Sequence, residues 1–203
     1  MIKVKKIISG QLEVNCYIVY DSDTLNAVII DPGEDGDKVI RTVEEGGFKP
    51  EMLINTHGHF DHILSDEQIR QRFNIPLAVY KDEIEMLSVS AMFASSQSVS
   101  APEILLEDNQ DIKLSFASFK VIHTPGHSKG GICLLFDDFI ITGDTLFAGT
   151  IGRTDFPGGN YQDMVKSLEK IKNLKNSLII YPGHGSQTTL ANELRHNPYL
   201  NGR

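Results

Sequence analysis

The sequence predicts a layered α/β protein. Short apolar runs with strand character recur along the chain, and segments with helical spacing separate them. A third observation is chemical: clusters rich in histidine fall where the apolar runs end. A sheet fixes the roots of its loops, so sites are commonly built there.

Residues 2–8 and 12–20 read as strands around a turn at Ser9-Gly10. Residues 27–30 form a third strand, stopped by Asp31-Pro32-Gly33. A helix follows, with Val39, Ile40 and Val43 on one face and Gly46-Gly47 as its C-cap. Residues 52–54 are a short buried strand running into Thr56 and the first histidine cluster. The next helix has Leu64, Ile69 and Phe73 inward and ends before Pro76. Residues 77–80 are strand and 81–88 helix; residues 88–101, rich in Ser and Ala, read as a loop or lid. Strands are expected over 111–116 and 118–123. Two more, 132–136 and 139–142, flank Asp137-Asp138 in a tight hairpin. A helix then carries Tyr161, Met164, Val165, Leu168 and Ile171 on one face. Strand 177–181 leads into Pro182-Gly183-His184-Gly185, and a last helix spans about 188–195.

Composition narrows the function. With 203 residues and 40% hydrophobic side chains, residues 1–203 fit one domain with its own core. The net charge of −8 repels phosphate backbones and argues against nucleic acid as a partner. Lys3, Lys5 and Lys6 are followed by no long apolar run, so neither a signal peptide nor a membrane span is expected, which favours the cytoplasm. Cys16 and Cys133 lie in separate apolar runs and are expected to be buried free thiols.

The decisive segment is Thr56-His57-Gly58-His59-Phe60-Asp61-His62. In an extended stretch alternate side chains share a face, so His57 and His59 can grip one ion. If the chain then turns into a helix, Asp61 and His62 point elsewhere and can grip a neighbouring ion. The competing interpretation is a polar helix start capped by Asp61, with exposed histidines. Three further segments weigh against it: His127 in Thr124-Pro125-Gly126-His127-Ser128, Asp144 in Thr142-Gly143-Asp144-Thr145, and His184 in Pro182-Gly183-His184-Gly185. Two ions need at least three protein ligands each, with room for water and substrate. A natural partition puts His57, His59 and His127 on one ion, and Asp61, His62 and His184 on the other. Asp144 then bridges them, because a carboxylate has two oxygens that can face two cations. Two divalent ions are thus the expected cofactors. Zinc comes first, and iron or manganese also suits these nitrogen and oxygen donors.

These motifs, in this order, resemble the metallo-β-lactamase superfamily, and within it the glyoxalase II branch of hydroxyacylglutathione hydrolases. The resemblance runs from Asn15-Cys16-Tyr17 to Asn197-Pro198-Tyr199-Leu200. It implies a four-layer αββα sandwich with the metals at one edge of the two sheets, and the same ligand partition. Glyoxalase II proper carries a C-terminal helical extension that binds glutathione, whereas about 20 residues follow His184 here. Gly152-Arg153-Thr154-Asp155-Phe156 resembles a segment of short glyoxalase II-like hydrolases and also of persulfide dioxygenases, which use a single iron.

The expected reaction is therefore metal-dependent hydrolysis of a small-molecule thioester such as S-lactoylglutathione by a metal-bridging hydroxide, with Asp61 and Asp144 as catalytic carboxylates. A thiol, of pKa about 8.5, leaves as thiolate without a strong general acid. No spare Glu or His stands inside a motif to act as one, so an amide substrate suits the site less. Arg153 either meets a substrate carboxylate or sits in a surface salt bridge; Asp155 is a weaker candidate. His123 shapes its loop, His196 is structural, and Tyr181 fits either role. The alternative is an iron persulfide dioxygenase. A non-catalytic metal-binding protein fits less well, because such a chain should have lost ligands and this one retains all seven.

Overall fold

A computed structural model describes residues 1–91 and 101–201. Among them two six-stranded sheets pack face to face. The first contains β1 (Ile2–Ser9), β2 (Val14–Asp21), β3 (Asn26–Ile30), β4 (Lys49–Ile54), β5 (Leu77–Tyr80) and β6 (Ile104–Leu106), side by side in that order. β1, β2 and β3 are antiparallel, and β3 through β6 run parallel. The second contains β7 (Asp111–Lys113), β8 (Ser118–His123), β9 (Ile132–Leu135) and β10 (Phe139–Gly143). A two-stranded hairpin of β11 (Leu146–Phe147) and β12 (Thr150–Ile151) comes next in the chain. β13 (Ile179–Pro182) and β14 (Thr188–Thr189) complete the second sheet, in the order β14-β13-β10-β9-β8-β7.

Three apolar clusters define the layers. Tyr17, Val19, Val28, Ile30 and Ile54 of the first sheet meet Val121, Ile132, Leu134, Phe139 and Ile141 of the second. Side chains alternate along a strand, so the opposite faces also need covering. On the first sheet Ile18, Ile29 and Leu53 pack under α1 (Gly36–Glu45), α2 (Phe60–Ile63) and α3 (Asp66–Phe73), through Val39, Val43, Ile63 and Ile69. α4 (Ile84–Ala91), entered through a 3-10 turn at Lys81–Glu83, adds Leu87. On the second sheet Cys133, Ile140 and Ile180 pack under α5 (Tyr161–Lys172), α6 (Leu190–His196) and α7 (Pro198–Asn201). The result is the four-layer αββα sandwich. Each large apolar side chain buried in these clusters contributes roughly 1.5–3 kcal/mol.

Most expected elements are present, with informative differences. α1 ends in a Schellman motif: Phe48 N–H donates to Val43 O and Gly47 N–H to Glu44 O, with Gly47 at φ +65°. Asp137-Asp138 makes the tight hairpin, where Phe136 N–H donates to Phe139 O. β2 starts at Val14, not residue 12, because residues 10–13 form a turn. The helix after the histidine cluster is broken between α2 and α3. Ser65 donates both its N–H and its hydroxyl to Gly33 O, and Ile63 replaces Leu64 in the core. The expected strand 111–116 stops at Lys113, because Leu114 N–H closes a turn onto Ala117 O. On α5 Tyr161 and Val165 are exposed, and Ser167 is buried beside Met164, Leu168 and Ile171. The last expected helix begins at Leu190, after β14, and Asn197, extended before Pro198, separates it from α7. Of the expected loop or lid over 88–101, residues 88–91 end α4, and residues 92–100 lie outside the described residues. Cys16 and Cys133 are buried and free, and burial pushes both thiols up, Cys133 to about 11. No helix among the described residues is long and apolar enough to cross a membrane.

Candidate metal centre

The loops after β3, β4, β8, β10 and β13 meet at one edge of the sandwich. Two sets of hydrogen bonds stitch the sheets together there. Ile132 N–H donates to Thr56 O. Asn15 of β2 donates its N–H to Gly183 O and its amide to Pro182 O, and the Tyr17 hydroxyl also donates to Pro182 O.

The structure brings all seven sequence-predicted ligand candidates together. His57 and His59 stand edge to face with centroids 4.8 Å apart, and both rings face His127. His59 Nδ1 lies 2.8 Å from His127 Nε2. His184 Nε2 lies 3.5 Å from Asp61 Oδ2, and His62 Nε2 lies 3.8 Å from the same oxygen. Asp144 stands between the two groups. Its Oδ2 is 3.5 Å from both His127 Nε2 and His184 Nε2, and its Oδ1 is 3.6 Å from His62 Nε2. The potential ligand atoms of His57, His59 and His127 lie within 4.8 Å of one another, and so do those of Asp61, His62 and His184. Gly183 makes this approach possible, since a Cβ there would stand 2.1 Å from Asp144 Oδ1.

Partners behind the rings aim their nitrogens. His127 Nδ1 donates to Arg153 O at 2.8 Å and His184 Nδ1 to Leu12 O at 2.9 Å, which leaves each Nε2 free as a lone-pair donor. Asp31 was not anticipated from sequence. Its buried carboxylate accepts the N–H and hydroxyl of Thr56, each at 2.7 Å, and lies 3.2 Å from His62 Nδ1. Thr56 Oγ1 in turn lies 3.1 Å from His57 Nδ1. One carboxylate thus orients a ring in each group. In the sequence Asp31-Pro32-Gly33 signals only a strand end; the positive φ of Asp31 itself (+49°) is visible only in the structure.

The electrostatics divide the cluster. Burial, and the proximity of the other rings, push His57 well below the ordinary imidazole range, His59 to about 4 and His127 to about 3. Burial also opposes charge on His62, but Asp144 and Asp31 outweigh it and raise His62 to about 9. His184 is raised against burial by its hydrogen bond to Asp61 and by Asp144. Burial pushes Asp61 up, yet His184 and His62 hold it at about 2. Asp144 is raised by burial, in spite of His62 and His184.

These residues fit divalent metal. His57 Nε2, His62 Nε2 and Asp144 Oδ1 are buried with no hydrogen-bond partner among the described residues. Native proteins seldom leave such atoms unsatisfied, and here they converge. Imidazole nitrogens with carboxylate oxygens are donors for a divalent cation.

The remaining candidates sort by position. Arg153 lies at the mouth, exposed, with its guanidinium bidentate to Asp155 at 2.7 Å and 3.6 Å from the Phe156 ring centroid. Phe156 stands edge-on to His59. His123 stacks on Tyr80, and its Nε2 pairs with Lys129 O, which shapes the loop bearing His127. Tyr181 packs between Tyr17 and Phe139, and His196 is exposed in the last turn of α6.

Comparison with known proteins agrees with this architecture. The family model of the metallo-beta-lactamase superfamily matches residues 9–184. The hydroxyacylglutathione hydrolase GloC of Haemophilus influenzae is 37% identical over 200 residues, 93% of each chain. Among solved structures, BLEG-1 B3 metallo-beta-lactamase is 31% identical at TM-score 0.90, covering 98% of this chain and all of that one. TTHA1623, solved in a di-iron-bound form, is 28% identical at TM-score 0.87, covering 97% of this chain and all of that one. ETHE1 from Myxococcus xanthus is 26% identical at TM-score 0.84, covering 99% of this chain and 85% of that one. The chain belongs to the metallo-β-lactamase superfamily, a superfamily of metallo-hydrolases.

Proposed function

We propose that this chain is a thioester hydrolase acting on S-acyl thiols such as S-lactoylglutathione, with two divalent ions, zinc in the first instance. His57, His59 and His127 would hold one ion and Asp61, His62 and His184 the other, with Asp144 standing between the two groups. The observation that carries this is the reach of Asp144, whose two oxygens lie 3.5–3.6 Å from imidazole nitrogens of both groups.

Bound divalent ions supply Lewis acidity, acidifying water and polarising a carbonyl. The protein's own residues do the rest. Asp31 and Thr56 hold the His57 and His62 rings in place, while Arg153 O and Leu12 O fix which nitrogen of His127 and His184 faces the centre. The imidazoles with raised proton affinity, His62 and His184, both belong to the ligand set. No other imidazole among the described residues stands ready at the centre to protonate a leaving amine. A thiolate leaves without that help, which favours a thioester over an amide. The name of the GloC relative supports the same substrate class. Arg153 takes the substrate carboxylate, exchanging Asp155 for it in the same bidentate geometry. The reducing cytoplasm suits the two free thiols.

A persulfide dioxygenase is the second reading, supported by the likeness to ETHE1. The test is metal analysis of protein purified without added metal, with a thioester panel and oxygen uptake on glutathione persulfide measured on the same sample. Metal-dependent thioester hydrolysis is expected. Oxygen consumption with no thioester cleaved would overturn the assignment.

A further inference from the structure

One carboxylate fastens the arm that follows β5 to both histidine loops of the first group. Glu83, the last residue of the 3-10 turn, is 1% exposed. Its Oε2 accepts the N–H of Gly58 at 2.7 Å and its Oε1 the N–H of Gly130 at 2.6 Å. Gly58 lies between His57 and His59; Gly130 is three residues past His127. Further along the arm, Ser90 donates its hydroxyl to Gly58 O at 2.6 Å. Residue 58 is therefore held at both its N–H and its C=O by one element. Glu83, Leu87 and Ser90 form the buried face of that arm, while neighbouring Glu85 is exposed.

The two glycines are shaped around the same side chain. A Cβ at residue 58 would stand 3.0 Å from Glu83 Oε2 and 3.2 Å from Leu87 N. A Cβ at residue 130 would stand 2.8 Å from Glu83 Cγ and N. A buried carboxylate is costly unless hydrogen-bonded, and here both oxygens accept backbone amides. The other group is secured differently, through Asp31 to His62 and Leu12 O to His184.

We propose that Glu83 is a positioning residue that sets the separation of the His57–His59 and His127 loops, with Ser90 locking residue 58, so that it tunes the first ion and not the second. This rests on the two-ion reading above. The test strips the protein and reloads it with zinc against a competing chelator, with the visible spectrum of the cobalt-loaded protein as a probe of coordination. Glu83→Ala, Glu83→Gln and Ser90→Ala are compared with Glu85→Gln as control. In a His184→Ala background the remaining ion is expected to lose about 10–100-fold in affinity with Glu83→Ala, with a changed cobalt spectrum, and less with Glu83→Gln, which keeps one acceptor oxygen. In a His59→Ala background Glu83→Gln should leave the remaining ion unaffected. Should Glu83→Ala fail to fold, Glu83→Gln and Ser90→Ala carry the comparison. Equal weakening of both ions, or unchanged affinity and spectrum in folded variants, would overturn the proposal. A wild type that binds no zinc would instead sink the site assignment. Asymmetric loss without thioester cleavage would leave the clamp standing and remove only the reaction.

Discussion

The two halves of the candidate centre differ in their electrostatic surroundings. His57, His59 and His127 are imidazoles alone, crowded, with His57 and His127 buried and His59 half-buried, and each is pushed towards its neutral form. His62 and His184 face Asp61 and Asp144, and both hold protons more tightly than an ordinary imidazole. A metal ligand must be unprotonated. In the metal-free protein the first half is therefore ready to bind across the neutral range, while the second must first release protons. Within one site of seven side chains, charge next to a ring matters more than burial of the ring, since His57 and His62 are both buried and shift in opposite directions.

The largest effect is expected where the halves join. Asp144→Ala should weaken both ions together and abolish hydrolysis, whereas His184→Ala should weaken mainly one. Metal content against a chelator series reads the difference, and an Asp144→Ala protein with full metal and activity would break the partition. Asp31→Ala, remote from substrate, should lower metal affinity by about 10–100-fold, because it orients a ring in each half. Retained affinity there would mean that Thr56 and packing suffice to hold the rings.

Stability of the metal-free protein should report the same contrast through pH. His59 and His127 are depressed, so their contribution is present above about 6.5 and is lost as pH falls towards 4 and 3. His62 is raised to about 9, so its contribution is present below about 6.5 and is lost as pH rises through 9. Thermal midpoints should peak between these limbs, and His62→Gln should flatten mainly the alkaline one, with a smaller change in the acid limb because His62 also lowers His57, His59 and His127. An unchanged alkaline limb in that variant would remove the electrostatic account of His62. The smallest effect concerns the mouth. Arg153→Ala should raise KM for S-lactoylglutathione several-fold and leave a small uncharged thioester unaffected, as steady-state kinetics would show.

The ligand set was legible in the sequence because its signals are local. Four ligand-type side chains within His57 to His62 need no fold to be noticed, and His127, Asp144 and His184 each sit beside glycine at the end of an apolar run. What sequence missed depends on pairing across distance. Asp31 reaches Thr56 because β3 and β4 run parallel in register, Ile30 beside Ile54. Glu83 is one acidic residue among Asp82, Glu83 and Glu85, and only the burial of one face of the arm formed by the 3-10 turn and α4 separates it from its neighbours. β6 is three residues long, and β11, β12 and β14 two each, too short for a period of two to register. Ser65 breaks the helix after the cluster through a contact with Gly33, far away in sequence.

Zinc titration of metal-stripped wild-type protein at two pH values tests the central claim most directly. Two ions per chain are expected, the affinity of one rising steeply from pH 6 towards 9 and that of the other nearly independent of pH over the same range. A stoichiometry that never exceeds one ion per chain in excess zinc, or two ions with the same pH dependence, would contradict it.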